Sequence, residues 1–197
     1  MKAVAAAWAC ALMMAAAAAA ETPRTAAEAL VAHVRATQDA GGRPWAVVDK
    51  GAARLSVYDA EGRLVAETPV LLGLARGDDS APGVGERAAH LAPHERTTPA
   101  GRFEAEPGRN LRGETVVWVD YDAAIAIHRL RPAPAAERRP QRLASATPED
   151  NRISAGCVVV EPGFFERVVL ARLGRGPSVV YVLPETRDWR TLFAVPG

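Results

Sequence analysis

The amino-acid sequence predicts a mostly β domain, with one helix ahead of the strands and one after the last strand but one. Three observations carry this. Short runs rich in Val, Ile, Leu and Thr recur between Trp45 and Leu183, divided by Gly- and Pro-containing turns. Apolar residues fall at helical spacing in only two places, near residues 26–38 and 162–174. Lys50-Gly51 and Ala60-Glu61-Gly62 join the first three strand-like runs as a meander, which favours antiparallel pairing.

At the amino terminus, Lys2 precedes an alanine-rich apolar run containing Trp8, Leu12, Met13 and Met14, which ends in Ala18-Ala19-Ala20. A basic head, a brief apolar centre and a small-residue exit predict a signal peptide over 1–20, and so a secreted protein with no membrane span once it is cleaved. Cleavage removes Cys10 and the charge of Lys2. The remaining 177 residues are neutral overall and hold one cysteine, Cys157. Neutrality argues against an electrostatic nucleic-acid binder, and a lone cysteine excludes an internal disulfide. A lone thiol sent into an oxidising compartment weighs toward chemistry rather than packing.

Residues 21–43 are read as an N-terminal helix and linker. Thr25-Ala26-Ala27-Glu28 has the capping-box pattern, Leu30, Val31 and Val34 repeat at helical spacing, and Gly41-Gly42 ends the element. Residues 44–197 form the main domain. Its strands are expected at 45–49, 54–58, 64–72, 101–105, 115–121, 125–130, 158–160 and 178–184. The Gly-, Pro- and Asp-rich segment 73–98 is expected to be a functional rim or lid. His90 and His94 lie in it, but Pro93 breaks the helix a metal pair at that spacing needs, so they read as solvent-facing, with no metal and no cofactor predicted. Residues 131–148, rich in Pro, Arg and Ala, read as a surface excursion. The stretch 162–174 reads as an amphipathic helix opened by proline and closed by glycine. Trp189 and Phe193 in the tail are expected to pack back on the sheet.

The chemistry concentrates in Asn151-Arg152-Ile153-Ser154-Ala155-Gly156-Cys157-Val158-Val159-Val160. A thiol placed where a glycine turn feeds a buried strand suits a nucleophile; it equally suits a small core hydrophobe. His128, near the end of its strand and on the face of Ala126 and Leu130, is the best-placed base for it, or else a satisfied core histidine.

The strand ending in His128, the Ser154-Ala155-Gly156-Cys157 turn and the upstream Thr98-Pro99-Ala100-Gly101-Arg102-Phe103 together resemble the L,D-transpeptidase (YkuD-type) catalytic domain from about Pro44 to Leu183. The resemblance implies a β-sandwich catalytic fold in the periplasm or at the cell wall. It also implies cross-linking or trimming of peptidoglycan stem peptides, donor and acceptor, through a cysteine thioester, and acylation of the thiol by carbapenems. It makes Cys157 the nucleophile and His128 the base, with Ser154, Ala155 and Gly156 shaping the oxyanion turn and the Gly156 and Cys157 N–H groups holding the oxyanion. The family's second histidine is replaced by Ala155, its Arg or Asn after the cysteine by Val159, and the small residue after the base by Arg129. These departures mark a divergent branch with Ser-Ala-Gly-Cys for Ser-His-Gly-Cys. Arg152 is the candidate for gripping a substrate carboxylate in place of the missing arginine, with a structural pair to Glu149 or Asp150 as the alternative; Arg129 and Asn151 complete the candidate substrate-binding set. Two other functions stay open: a non-catalytic peptidoglycan-binding module that keeps the fold, and another exported Cys-His peptidase.

Overall fold

The computed structural model describes residues 25–88 and 90–193; the expected signal peptide lies outside them. Helix α1, Ala26–Thr37, starts on the Thr25 capping box, with Thr25 and Glu28 exchanging side-chain and backbone hydrogen bonds, and ends on Gln38 at φ 54°. Strands β1 (Trp45–Asp49), β2 (Arg54–Tyr58) and β3 (Leu64–Pro69) form the expected antiparallel meander. Then come β4 (Leu72–Gly73), β5 (Gly101–Arg109), β6 (Thr115–Asp120) and β7 (Ile125–Arg129). A short helix α2 (Arg139–Leu143) precedes β8 (Arg152–Ser154) and β9 (Val158–Val160), and β10 (Ser178–Val182) is the final strand. The fold is mostly β.

Eight strands form one sheet in the order β3-β2-β1-β10-β5-β6-β7-β9, while β4 pairs separately with β8. The expected strand 64–72 divides because its last part leaves the β3 edge. Val70 still donates to Ala53 O, but Leu71 exchanges two backbone hydrogen bonds with Val159, on the opposite edge. Residues 70–73 therefore tie the two ends of the sheet together. One apolar core follows from that closure: Ala46, Val48, Leu55 and Val57 from one end belong with Ile125, Ile127, Val158 and Val160 from the other. The helical stretch 162–175 plugs this core with Phe165, Val169 and Leu173, and its middle turn, Phe165–Val169, is wound as a π-helix.

The other face of the sheet is covered in two patches. At one end α1 buries Leu30, Val31 and Val34 against Trp45, Tyr58 and Tyr181, with Trp189 and Phe193 of the tail packed on the same cluster. At the other end Leu143 of α2 packs with Leu71 and Val159, flanked by Leu130 and Ile153. The excursion 131–148 is thus a cap over β7 and β9. The loop 73–98 is anchored as well: Val84 and Leu91 are buried in the main core, and a side chain at Gly85 would run into the backbone of Asp122.

Candidate active site

The thiol and the imidazole arrive on neighbouring parallel strands. The β7–β9 register pairs Ile127 with Val158 and His128 with Val159, so Cys157, two residues before Val159, lies on the His128 face. Strands about 4.8 Å apart and a rise of about 3.3 Å per residue set the two Cα atoms roughly 8 Å apart, within reach of an imidazole and a thiol that lean toward each other. The two groups do not bond to each other. Cys157 Sγ donates to Ala124 O at 3.6 Å, and His128 Nδ1 lies 2.8 Å from Arg129 O. That second contact needs the proton on Nδ1, which leaves Nε2 as the acceptor of a neutral ring.

Burial governs both groups. His128 is 8% exposed, and burial pushes its pKa down to about 4, assisted by the charge of Arg131 and opposed by the Arg129 carbonyl. Cys157 is half-buried, and burial pushes its thiol up, opposed by the Ala126 N–H and by Arg131. The resting pair is therefore neutral thiol and neutral imidazole.

The turn that carries the sulfur is clamped from three sides. Ser154 Oγ donates to Cys157 O at 2.7 Å and accepts from Gly156 N–H at 3.0 Å. The fully buried Thr98 accepts from Gly73 N–H at 2.9 Å and donates to Gly156 O at 2.8 Å. Leu74 N–H donates to Ser154 O at 3.0 Å, which fixes the turn against the segment that closes the sheet. Gly156 stands at φ 135°, and a Cβ there would lie 2.6 Å from Ile125 Cδ1 and 2.7 Å from Thr97 O. Ala155 is exposed at the tip.

Several expectations change at this point. The Gly156 N–H, expected to face an oxyanion, is held by Ser154 Oγ, so Ser154 and Gly156 shape the turn and the Cys157 N–H is the remaining donor of the pair. Arg152 does not wait for a substrate. Its guanidinium is buried and committed to Glu185, through Nη1 at 3.1 Å and Nη2 at 2.5 Å, and to Lys50 O at 3.2 Å; neither Glu149 nor Asp150 is its partner. Asn151 is likewise buried and spends its Nδ2 on Val70 O. Arg129 is exposed on the face opposite His128 and pairs with Glu166 at 3.3 Å. His90 and His94 are exposed, as expected.

Sequence reasoning missed the polar network that Arg152 joins. Lys50, read as a turn residue, is 1% exposed and donates to Asp78 Oδ1 at 2.8 Å, Gly77 O at 2.5 Å and Thr98 O at 3.0 Å. Burial alone would raise the Asp78 carboxyl, but donors from Lys50, Thr186 and the Glu185 backbone hold it far below the usual carboxylate range. The network reaches the site through Thr98, whose carbonyl accepts from Lys50 and whose hydroxyl donates to the Gly156 carbonyl. Arg131 was also missed, since it looked like one charge among several in the excursion.

No family model matches this sequence, and no curated protein matches it. Among solved structures, the chain is similar to the helical cell shape determining protein Pgp2 from Campylobacter jejuni, with a TM-score of 0.48 and 17% identity over 74% of this chain and 49% of that one. It is similar to L,D-transpeptidase 1 from Mycobacterium tuberculosis (TM-score 0.38, 17% identity, 71% of this chain and 60% of that one). It is also similar to the catalytic domain of the E. faecium L,D-transpeptidase (TM-score 0.37, 18% identity, 72% of this chain and 98% of that one). The chain spans about half the length of the Campylobacter protein.

Proposed function

We propose that the protein is an exported cysteine acyltransferase that acts on peptidoglycan stem peptides, joining or trimming them through a thioester on Cys157. The observation that carries the reading is the placement of Cys157 and His128 on one face of adjoining parallel strands, with the ring tautomer set by the Arg129 carbonyl. As a donor peptide enters, His128 Nε2 takes the thiol proton and Sγ attacks the carbonyl carbon of the residue before the terminal D-amino acid. The Cys157 N–H receives the developing oxyanion. Collapse of the tetrahedral species breaks the C–N bond, and His128 returns its proton to the departing amine. An amine of a second stem peptide then attacks the thioester, giving a cross-link, or water does, giving a shortened peptide; His128 takes the proton of either. A ring with a pKa of about 4 is a weak base, but it is unprotonated throughout the physiological range, so Nε2 is open to the thiol proton.

The test is incubation with a tetrapeptide muropeptide, reading both the cross-linked dimer and the released D-amino acid. Wild type produces one or both and Cys157→Ala neither; equal product from the two proteins overturns the reading. One observation favours the binding-module alternative: sulfur and ring each bond to backbone rather than to each other. Intact-mass measurement after carbapenem exposure separates the two, because a stable adduct at Cys157 requires an acylatable thiol and a binding module gives none.

A further inference from the structure

The sheet face that carries Cys157 and His128 continues past them. Strand β6 pairs Trp118 with Ala126 of β7 on one side and with Glu106 of β5 on the other. The β7–β9 pairing of Ile127 with Val158, taken one step back, sets Ala126 beside Cys157. Glu106, Trp118, Ala126 and Cys157 thus stand in one row across the sheet, on the face opposite to Val117 and Val119 of the core. The turn after β6 joins the indole to the sulfur by contact. At one end Tyr121 meets Trp118 edge to face, ring centroids 5.1 Å apart, and at the other the Ala124 carbonyl accepts from the Cys157 thiol at 3.6 Å. The Ala124 N–H closes the turn on Tyr121 O at 3.1 Å.

Over β5 and β6 the row opens into a cavity of about 410 Å³ whose lining includes Glu104, Glu106, Gly108, Trp118 and Tyr121. Trp118 lies so close over Gly108 that a Cβ there would sit 2.6 Å from the indole Cδ1, so a side chain at 108 would displace the ring. Tyr121 is 74% exposed. Glu104 is spent on Arg43 and Arg102, whereas Glu106, exposed beside the indole, has no hydrogen bond or ion pair with any described residue. We propose that this cavity holds a sugar ring of the glycan strand from which the stem peptide hangs, so that the enzyme takes its donor still joined to sugar. This rests on the proposed reaction and narrows its donor. A sugar ring offers an apolar C–H face that packs on an aromatic ring, and a rim of hydroxyl and amide donors that a carboxylate accepts. The spacing agrees. Two strand intervals of about 4.8 Å put the Cα atoms of Trp118 and Cys157 roughly 10 Å apart. The carbonyl attacked by sulfur belongs to the third residue of a tetrapeptide stem, and three extended residues at about 3.3–3.6 Å each also span roughly 10 Å. A donor laid along the row with that carbonyl on the thiol brings its sugar-bearing end to Trp118.

The experiment uses full-length Cys157→Ala protein, in which no turnover consumes the probe. A stem tetrapeptide is titrated by calorimetry in two forms, free and joined to its disaccharide. The disaccharide form is expected to bind at least about tenfold more tightly. Adding Trp118→Ala or Tyr121→Ala should remove most of that difference, Trp118→Phe should keep part of it, and Leu64→Ala, which trims an exposed apolar side chain on the distant β3, should leave it intact. Thermal melts confirm that each variant is folded, and Tyr121→Ala, at an exposed position, keeps the test standing if Trp118→Ala does not fold. Equal binding of the two forms, or a difference that survives Tyr121→Ala and the folded Trp118 variants, overturns the inference. Turnover of both forms by unsubstituted protein is measured alongside. Turnover of the two at equal kcat/KM, with equal binding, sinks this inference alone, and neither binding nor turnover sinks the proposed reaction with it. Sugar-dependent binding through Trp118 without turnover upholds the cavity's role and removes the reaction.

Discussion

Acidification should unfold this protein partly through one side chain. His128 has a pKa of about 4 in the folded state, against about 6.5 for an unperturbed histidine. Above about pH 6.5 the ring is neutral folded or unfolded and contributes nothing to the pH dependence. As pH falls from there toward about 4, the unfolded chain binds a proton that the folded protein refuses, so stability drops; below about 4 both states are protonated and the loss is complete. A shift of about 2.5 units at 1.36 kcal/mol each amounts to roughly 3 kcal/mol. The assay is urea denaturation at pH 7, 5.5 and 4, for wild type and for His128→Gln, which has no ionisable ring. Acid effects from the carboxylates cancel in the difference between the two proteins. That difference should move by roughly 3 kcal/mol against wild type between pH 7 and 4, and the His128 ring resonances should titrate near pH 4. A pH-independent difference, or a titration midpoint near 6.5, would refute the reasoning.

Further outcomes follow from the clamp and the network. Gly156→Ala puts a methyl group against Ile125 and the Thr97 carbonyl at a φ only glycine tolerates well, and should cost at least about 2 kcal/mol by urea titration. Thr98→Val keeps the shape but strands the Gly73 N–H and the Gly156 carbonyl, a loss of about 3 kcal/mol that calorimetric melting would register as a fall of roughly 10 °C in Tm. Arg152→Met leaves Glu185 buried without its main partner and should cost about 3–5 kcal/mol, while KM for the donor peptide in the folded fraction stays unchanged; a raised KM with normal stability would restore the substrate-binding role. In steady-state kinetics, the acid limb of kcat/KM should fall well below pH 6.5, because the base stays unprotonated.

The local elements were legible because each is written in a few adjacent residues. Thr25 and Glu28 cap α1, Lys50-Gly51 sets the first hairpin, and the β-branched run after Cys157 makes a strand. What sequence could not show was what those residues do at long range. Val70 and Leu71 read as the end of a strand, and nothing in their apolar character says that they cross from one sheet edge to the other. Lys50 looks like an ordinary turn lysine until Asp78, Thr98 and Glu185 surround it. The candidate site divides in the same way. Period-two alternation placed His128 on the face of Ala126, away from Ile125 and Ile127, and the register puts Cys157 on that face too. Arg152 and Asn151 read as free for a substrate because their partners, Glu185 and Val70, are far away in the chain.

The last strand does not lie at a margin. β10 is inserted between β1 and β5, parallel to the first and antiparallel to the second, so residues near 45 find their partners only near 180. A polypeptide emerging amino end first cannot finish its sheet until almost all of it has been made, and the two halves, tied through Leu71 and Val159, must wait for the strand that fills the gap between them. A chain cut short before residue 178 would lose the strand that joins its halves rather than a dispensable tail.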